Sequence, residues 1–491
     1  MTKVRLTRRE LVAAIGAAGT VAAVPPAWAK QLLPRKRRIG PGAFNDGVAS
    51  GEPSQNAITF WSRLETSRPR SGARLVVATD PGLRKIVAHT TVPTGRGVNG
   101  ALKARVGGLK PHTEYYYVWE SGTNVSPIGR TRTAPPPGAA QPLNFGVSSC
   151  QNYGIGYFNA HADASAMPDM DLYLFLGDYI YEQKARRDTL RGDDIQAVDL
   201  PTYRAKYALY RSDAGLRELH RIHPVAHIWD DHEVENNYSD NNPPPSLAQR
   251  YAGYRAAFEW LPRMSFPKDR HRIYRQLSFG ALADVFLTDQ RQYRSGSNDG
   301  RPRHILGEAQ MSWLIGSLKA SKATWKIIAN EVVMASIDYD GSHNGDAWDG
   351  YPDDRARLLG EIERAGIGNV VFLTGDAHVF MCSLLSSDFS TFGDGTARKP
   401  AGVEYVTGSI TSVGKDIPEA TVRQLSPWNR EYNGRDHGYG RLALGPDQIV
   451  MDYMASDVTT PGGPTGLIER FTQPAGANSV VRESHVAARQ A

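Results

Sequence analysis

The stretch Leu174–Glu182, LFLGDYIYE, sets a carboxylate and a phenol at the end of an apolar run. Tyr173–Leu176 reads as a buried strand, Gly177 and Asp178 break it, and Tyr181 follows three residues after the acid. In α/β proteins reactive groups gather in the crevice beyond the carboxyl ends of strands. Asp178 and Tyr181 would offer oxygen donors there, suited to hard cations. Taken alone, the same nine residues also read as a helix-capping Asp and a packed Tyr.

Four more apolar runs end in the same way. Phe145–Val147 leads to Cys150, and His227–Trp229 leads to Asp230-Asp231-His232-Glu233 with Asn236-Asn237 beyond. Ile327–Ala329 leads to Asn330-Glu331, and Val370–Leu373 leads to Asp376 and His378. A doubly wound sheet brings such ends to one rim, where ligands distant in sequence meet. Carboxylate, phenolate and thiolate together favour Fe³⁺, whereas carboxylate and amide oxygens favour Ca²⁺, Mg²⁺ or Mn²⁺. Only His378 stands at an imidazole-ligand position, with His232 near in role, so a His-rich zinc site is disfavoured. Two metals about 3.5–4 Å apart, bridged by a carboxylate and a hydroxide, suit in-line attack on a phosphate ester.

The elements that must position these groups fall into two grammars. Residues 40–139 hold short strands with apolar alternation, such as Ala57–Ser62, Ala73–Ala78 and Glu114–Glu120, separated by turns such as Asp80-Pro81-Gly82. Gly108–Tyr115 followed by Thr131–Pro135 resembles the end of a fibronectin type III β-sandwich, with Tyr115 forming a tyrosine corner. Pro135–Pro142 is a linker. From residue 140 to about 470 strands alternate with helices, and 471–491 read as a flexible tail. The insertion Gln183–Pro224, with helical patches around Tyr203–Tyr210 and Ala214–Arg221, reads either as a lid or as a surface insert.

Length and charge narrow the class. A chain of 491 residues implies two or more domains. Residues 1–29 carry a twin arginine (Arg8-Arg9), a short apolar stretch and Ala27-Trp28-Ala29, the signature of a twin-arginine secretory signal. A basic arm, 30–39, follows. The formal charge of +6 resides in these two segments, +3 in 1–29 and +5 in 30–38, which leaves −2 for residues 39–491. No basic groove for a nucleic-acid partner is indicated. Of the two cysteines, Cys382 reads as buried and inert. A Cys150–Cys382 bridge is the alternative, and it would remove the thiolate ligand.

The motifs together resemble a known family. GDYIYE resembles the GDxxY motif of purple acid phosphatases, WDDHE stands where metallophosphoesterases carry GNHE or GNHD, and GDAH stands where they carry GHxH. GVASGEP (Gly47–Pro53), SSCQ, WDDHEVENN and WDGYP (Trp348–Pro352) resemble the alkaline phosphatase D (PhoD) family of exported phosphodiesterases over about residues 40–455. The resemblance implies an α/β fold, a four-layer αββα sandwich of the metallophosphoesterase kind behind the small β-sandwich. It implies one Fe³⁺ and Ca²⁺. Cys150, Asp178, Tyr181 and Asp376 would hold iron, with Asp178 bridging, while Asp231, Asn237 and His378 would serve the second metal or the phosphate. Asn330 is a further metal candidate and Asp349 a further catalytic one. His232 would stabilise the phosphate or protonate the leaving group, oriented by Glu233. Asp230 would lie beside the ligands, Asn236-Asn237 read equally as a turn, and Asp349 reads equally as a turn cap.

The expected activity is hydrolysis of phosphodiesters and phosphomonoesters outside the cytoplasm, in the periplasm or beyond, with the twin-arginine machinery as export partner. Phospholipase D-like action on lipid head groups is the nearest rival. A non-catalytic surface-binding protein is a rival of another class, and it predicts eroded ligands.

Overall fold

The burial alternation of Ala101–Val106, with Leu102, Ala104 and Val106 inward, marks a sheet with one covered face. The computed structural model describes residues 20–21, 44–185, 189–239, 245–296, 303–337, 343–392 and 400–484. The basic arm and nearly all of the secretory signal read from the sequence lie outside these residues. No helix among the described residues is long and apolar enough to cross a membrane.

The chain divides into two units: Met1–Ala134 with His220–Val225 and Arg255–Arg272, and the remainder beginning at Pro135. In the first unit, strands Val48–Gly51, Ile58–Arg63 and Ala101–Val106 form one antiparallel group. Ser71–Ala78, Ile86–Thr94, Glu114–Ser121 and Gly129–Arg132 form another. Ile58, Phe60, Leu102 and Ala104 of the first meet Leu75, Val77, Tyr117 and Trp119 of the second in one core. Phe60 and Tyr117 lie edge to face at 4.7 Å. This is a β-sandwich, and the Tyr115 phenol accepts the Lys110 N–H (2.7 Å) in the manner of a tyrosine corner.

The second unit is built on two sheets. In one, Leu143–Ser148 pairs parallel with Leu172–Leu176 and antiparallel with His437–Leu444, and the sheet continues through Gln448–Ser456, Thr465–Pro474 and Val481–Ser484. In the other, Ala283–Leu287, Trp325–Asn330, Val370–Thr374 and Gly402–Thr407 run parallel side by side. Their runs ADVFL and VVFLT are buried throughout, as parallel strands covered on both faces must be. The two sheets meet through Phe145–Phe279, Phe380–Tyr453 and Tyr405–Phe471, with ring centroids 5.0, 4.9 and 6.0 Å apart. Helices Gly307–Ala320 and Pro352–Arg364 cover the outer face of the second sheet through Leu314, Leu318, Leu358 and Ile362. Helix Asn159–Ser165 lies against the first, where the Tyr439 hydroxyl donates to Asp163 (2.6 Å). The result is the helix–sheet–sheet–helix layering expected of the α/β domain.

The tail expected to be flexible from residue 471 is instead paired through Ser484. Phe471 is fully buried, and Arg482 is bound by Glu419 and Glu469. Composition gave little hint of this, because the strand is anchored by ion pairs to distant residues. The bridge alternative also fails: Cys150 and Cys382 are both free and buried.

Candidate metal centre

Every parallel strand of the second unit ends at the same rim. Leu143–Ser148 delivers Cys150, Leu172–Leu176 delivers Asp178 and Tyr181, and Pro224–Ile228 delivers Asp230–Glu233. From the second sheet come Arg291, Asp376, His378 and Ser412. Two glycines allow this closeness. A Cβ on Gly177 (φ 103°) would lie 2.5 Å from the Cβ of Asp230, and one on Gly375 would lie 2.7 Å from the Leu176 carbonyl oxygen.

The donors form two groups that share one carboxylate. Ligand atoms of Cys150, Asp178 and His378 all lie within 4.8 Å of one another, as do those of Asp178, Asp231 and His232. The Tyr181 hydroxyl donates to Asp178 Oδ2 (2.8 Å), lies 3.2 Å from His378 Nε2 and accepts from Ser412 Oγ (2.6 Å). His378 Nδ1 donates to the Val413 carbonyl (3.0 Å), which leaves the Nε2 lone pair facing the group. Burial lowers the His378 pKa to about 4, so the imidazole is neutral and able to ligate. A cavity of about 460 Å³ lined by Asp376, His378, Val413, Lys415 and Tyr432 opens beside it.

The backbone is strained where these side chains leave it. Ten described non-glycine residues have positive φ, and five are expected ligands: Cys150, Asp178, Asn237, Asp376 and His378, at 53–59°. Left-handed geometry costs a residue with a Cβ roughly 1–2 kcal/mol, and such strain gathers at functional sites.

The electrostatics call for cations. Burial pushes Cys150, Asp178, Tyr181 and Asp376 well above their ordinary pKa values, and neighbouring acids push further. Asp230 rises to about 6 through burial, although Arg291 opposes the rise. Such a concentration of buried acids ionises readily only around positive charge, and its thiol, phenol, imidazole and carboxylate mixture fits a metal pair. His232 behaves oppositely. Burial works against its charge, but Asp231 and Asp178 outweigh it and hold the imidazolium pKa well above the usual range.

Several expectations need correcting. Asn330 is buried with its amide fully engaged: Oδ1 accepts from Gln290 and from Trp348 Nε1 (3.1 Å), and Nδ2 donates to the Val332 carbonyl (2.5 Å) and Thr374 Oγ1 (3.0 Å). It has no lone pair to spare for a metal and serves as a strand-end clamp. Asp349 accepts the Ile337 N–H (3.1 Å) and pairs with Arg355, which is the turn-cap reading rather than a catalytic one. Glu233 does not orient His232. Its carboxylate accepts the backbone N–H groups of Asp178 (3.2 Å), Tyr179 (2.7 Å) and Asp230 (2.9 Å). Glu182 holds His232 Nδ1 instead, at 2.6 Å. Asn237 needs no correction: its backbone N–H donates to Asp231 Oδ2 (2.7 Å), and it stands beside that carboxylate. His378 joins Cys150 and Asp178 rather than Asp231, and Asp376 lies outside both three-residue groups with Oδ1 3.8 Å from Arg291 Nη2.

Sequence reasoning passed over three residues. Glu182 closes the GDYIYE motif and was legible as a second acid there. Ser412 follows the strand Gly402–Thr407, one more strand ending of the kind already singled out. Arg291 carried no signal. The insertion is packed beneath the site rather than laid on the surface: the Tyr210 hydroxyl accepts the N–H groups of Tyr153 (3.2 Å) and Tyr181 (3.0 Å).

The αββα layering of the second unit and its acid-rich strand-end cluster are of the kind a phosphoesterase uses. Residues 145–453 match the PhoD-like phosphatase family, and residues 27–135 match the PhoD-like phosphatase N-terminal domain. Alkaline phosphatase D of Bacillus subtilis (strain 168) is 33% identical over 464 residues, covering 85% of this chain and 79% of that protein. A solved structure of PhoD superposes with a TM-score of 0.84 at 31% identity, covering 91% of this chain and 93% of that one. A purple acid phosphatase from yellow lupin (Lupinus luteus) seeds reaches 0.58 at 13% identity over 87% of this chain and 73% of that one, a likeness of fold. The chain belongs to the PhoD-like phosphatase family and is a phosphate-ester hydrolase.

Proposed function

We propose that this phosphoesterase is metal-dependent, acts on phosphodiesters and phosphomonoesters, and works after export by the twin-arginine route. The observation that carries the reading is Asp178, common to two donor groups, which is the arrangement a bridging carboxylate requires. Cys150, Asp178, Tyr181 and His378, with Asp376 beside them, would hold a trivalent ion, for which Fe³⁺ suits the thiolate and phenolate. Asp178 and Asp231 would hold a divalent ion, for which Ca²⁺ suits the carboxylates. When bound, such a pair neutralises phosphate charge and acidifies water.

The chain's own residues supply the rest. His232, fixed through Nδ1 by Glu182 and facing Asp231 and Asp178, which raise its pKa, can in its protonated form stabilise the phosphate and give a proton to the leaving alkoxide. Ser412 fixes the phenol of Tyr181. The secretory route rests on Arg8-Arg9, the short apolar stretch after them and Ala27-Trp28-Ala29.

The test is hydrolysis of a chromogenic phosphodiester and a monoester by purified protein, with and without chelator, beside Asp178→Asn and Tyr181→Phe. Turnover should be chelator-sensitive and fall at least about 100-fold in Asp178→Asn. A visible tyrosinate-to-iron band should vanish in Tyr181→Phe. Turnover that survives exhaustive metal removal would overturn the reading.

A further inference from the structure

A buried arginine stands at the centre of the acids. Arg291 is fully inaccessible, and its Nε is bound by Asp230. Its Nη1 and Nη2 donate to both oxygens of Asp346 (2.9 and 2.8 Å), and Nη2 lies 3.8 Å from Asp231 Oδ2 and 3.8 Å from Asp376 Oδ1. Asp230 and Asp231 come from the end of Pro224–Ile228, Asp376 from the end of Val370–Thr374, and Asp346 from the loop before Trp348. One guanidinium therefore faces four carboxylates; Asp346 has a second cation in Arg294 at 2.8 Å, and Asp231 has the neighbouring imidazole of His232. A buried guanidinium needs fewer acids than this for its own solvation, since one bidentate carboxylate and one further acceptor would suffice. Asp231 and Asp376 stand at 3.8 Å, beyond hydrogen-bond length, where charge acts but a directed bond does not.

We infer that Arg291 is a fixed cation that keeps the rim carboxylates Asp231 and Asp376 assembled before the metals bind. It is a positioning residue, and the inference rests on the metal reading given above. Without it, Asp230, Asp231 and Asp376, which come from two sheets, would lose the guanidinium they share, and the empty site would spread. With metals in place the same acids are held by the ions, so the arginine matters less. A purely structural arginine would matter equally in both states.

The experiment measures thermal unfolding of the full chain, chelated and then reloaded with Fe³⁺ and Ca²⁺, for wild type, Arg291→Gln and Arg291→Lys. Bound metal is counted by mass spectrometry. The metal-dependent rise in Tm should at least double in Arg291→Gln, because the chelated form loses most. Arg291→Lys, which keeps the charge and loses the fork to Asp346, should be less impaired than Arg291→Gln in the chelated state. If Arg291→Gln folds only when metals are supplied, the inference is supported in its strongest form. Equal loss with and without metal, or Arg291→Lys as impaired as Arg291→Gln, overturns it. A wild type whose Tm does not respond to metal and which retains none would instead overturn the metal reading itself, and this inference with it.

Discussion

Glu233→Ala isolates the part of the site that is pure scaffold. Glu233 is 1% exposed, and its two oxygens take the backbone N–H groups of Asp178, Tyr179 and Asp230, which lie at the ends of two strands. Alanine strands three buried donors. Each unsatisfied buried group costs roughly 1–3 kcal/mol, so the loss spans about 3–9 kcal/mol, with the lower half expected because the loops can shift toward water. Glu233→Gln keeps the shape and one acceptor oxygen but turns an amide NH₂ toward one donor, and should lose about half as much. Urea unfolding of chelated protein, followed by tryptophan fluorescence, reads the change without the contribution of bound metal. Turnover should fall as well, since these donors set where Asp178 leaves the backbone. Stability of Glu233→Ala within about 1 kcal/mol of wild type in the chelated state would refute the account.

Two more outcomes follow from the geometry. Asp349→Asn should lose about 1–3 kcal/mol in the same urea assay, through Ile337 and Arg355, while turnover stays within a few-fold; a loss of turnover near 100-fold would return Asp349 to the chemistry. His161 is buried against Gln151 Oε1 (2.6 Å) and the Tyr173 hydroxyl (3.1 Å), and burial lowers its pKa to about 3. Its neutral form therefore stabilises the fold fully above pH 6.5, and this contribution is lost as pH falls toward 3, by about 1.4 kcal/mol per unit. Unfolding curves of His161→Gln should be flatter than wild type between pH 6.5 and 4.5, and parallel curves would show that another group carries the acid sensitivity.

Much of the fold was legible because both domains obey short-range patterning. Period-two alternation marked the sandwich, and uninterrupted apolar runs such as LYLFL marked the parallel strands. The first candidate ligands were legible for the same reason: a strand's end is visible in sequence, and Cys150, Asp178, Asp231 and His378 stand at such ends. What could not be read was which acid faces which base. Glu233 is next to His232 in sequence and Glu182 is 50 residues away, yet the turn after Ile228 folds Glu233 back onto N–H groups and Glu182 reaches His232. Asn330 has the right type and place for a ligand, and only the packing of Gln290, Trp348 and Thr374 around it shows its amide to be consumed. Arg291 was invisible because its meaning lies entirely in four acids that arrive from 55 to 85 residues away along the chain.

The left-handed residues at the rim set the protein's two tasks against each other. At Cys150, Asp178, Asp376 and His378 a glycine would relax the main chain, so the substitutions that best relieve the resting fold are those that strip its donors. A selection for heat resistance on metal-free protein, blind to turnover, would weigh against these donors, whereas selection on metal-loaded protein would keep them, because bound metal stabilises the fold through them. Screens for robust variants run on metal-free protein therefore have to score catalysis in every round.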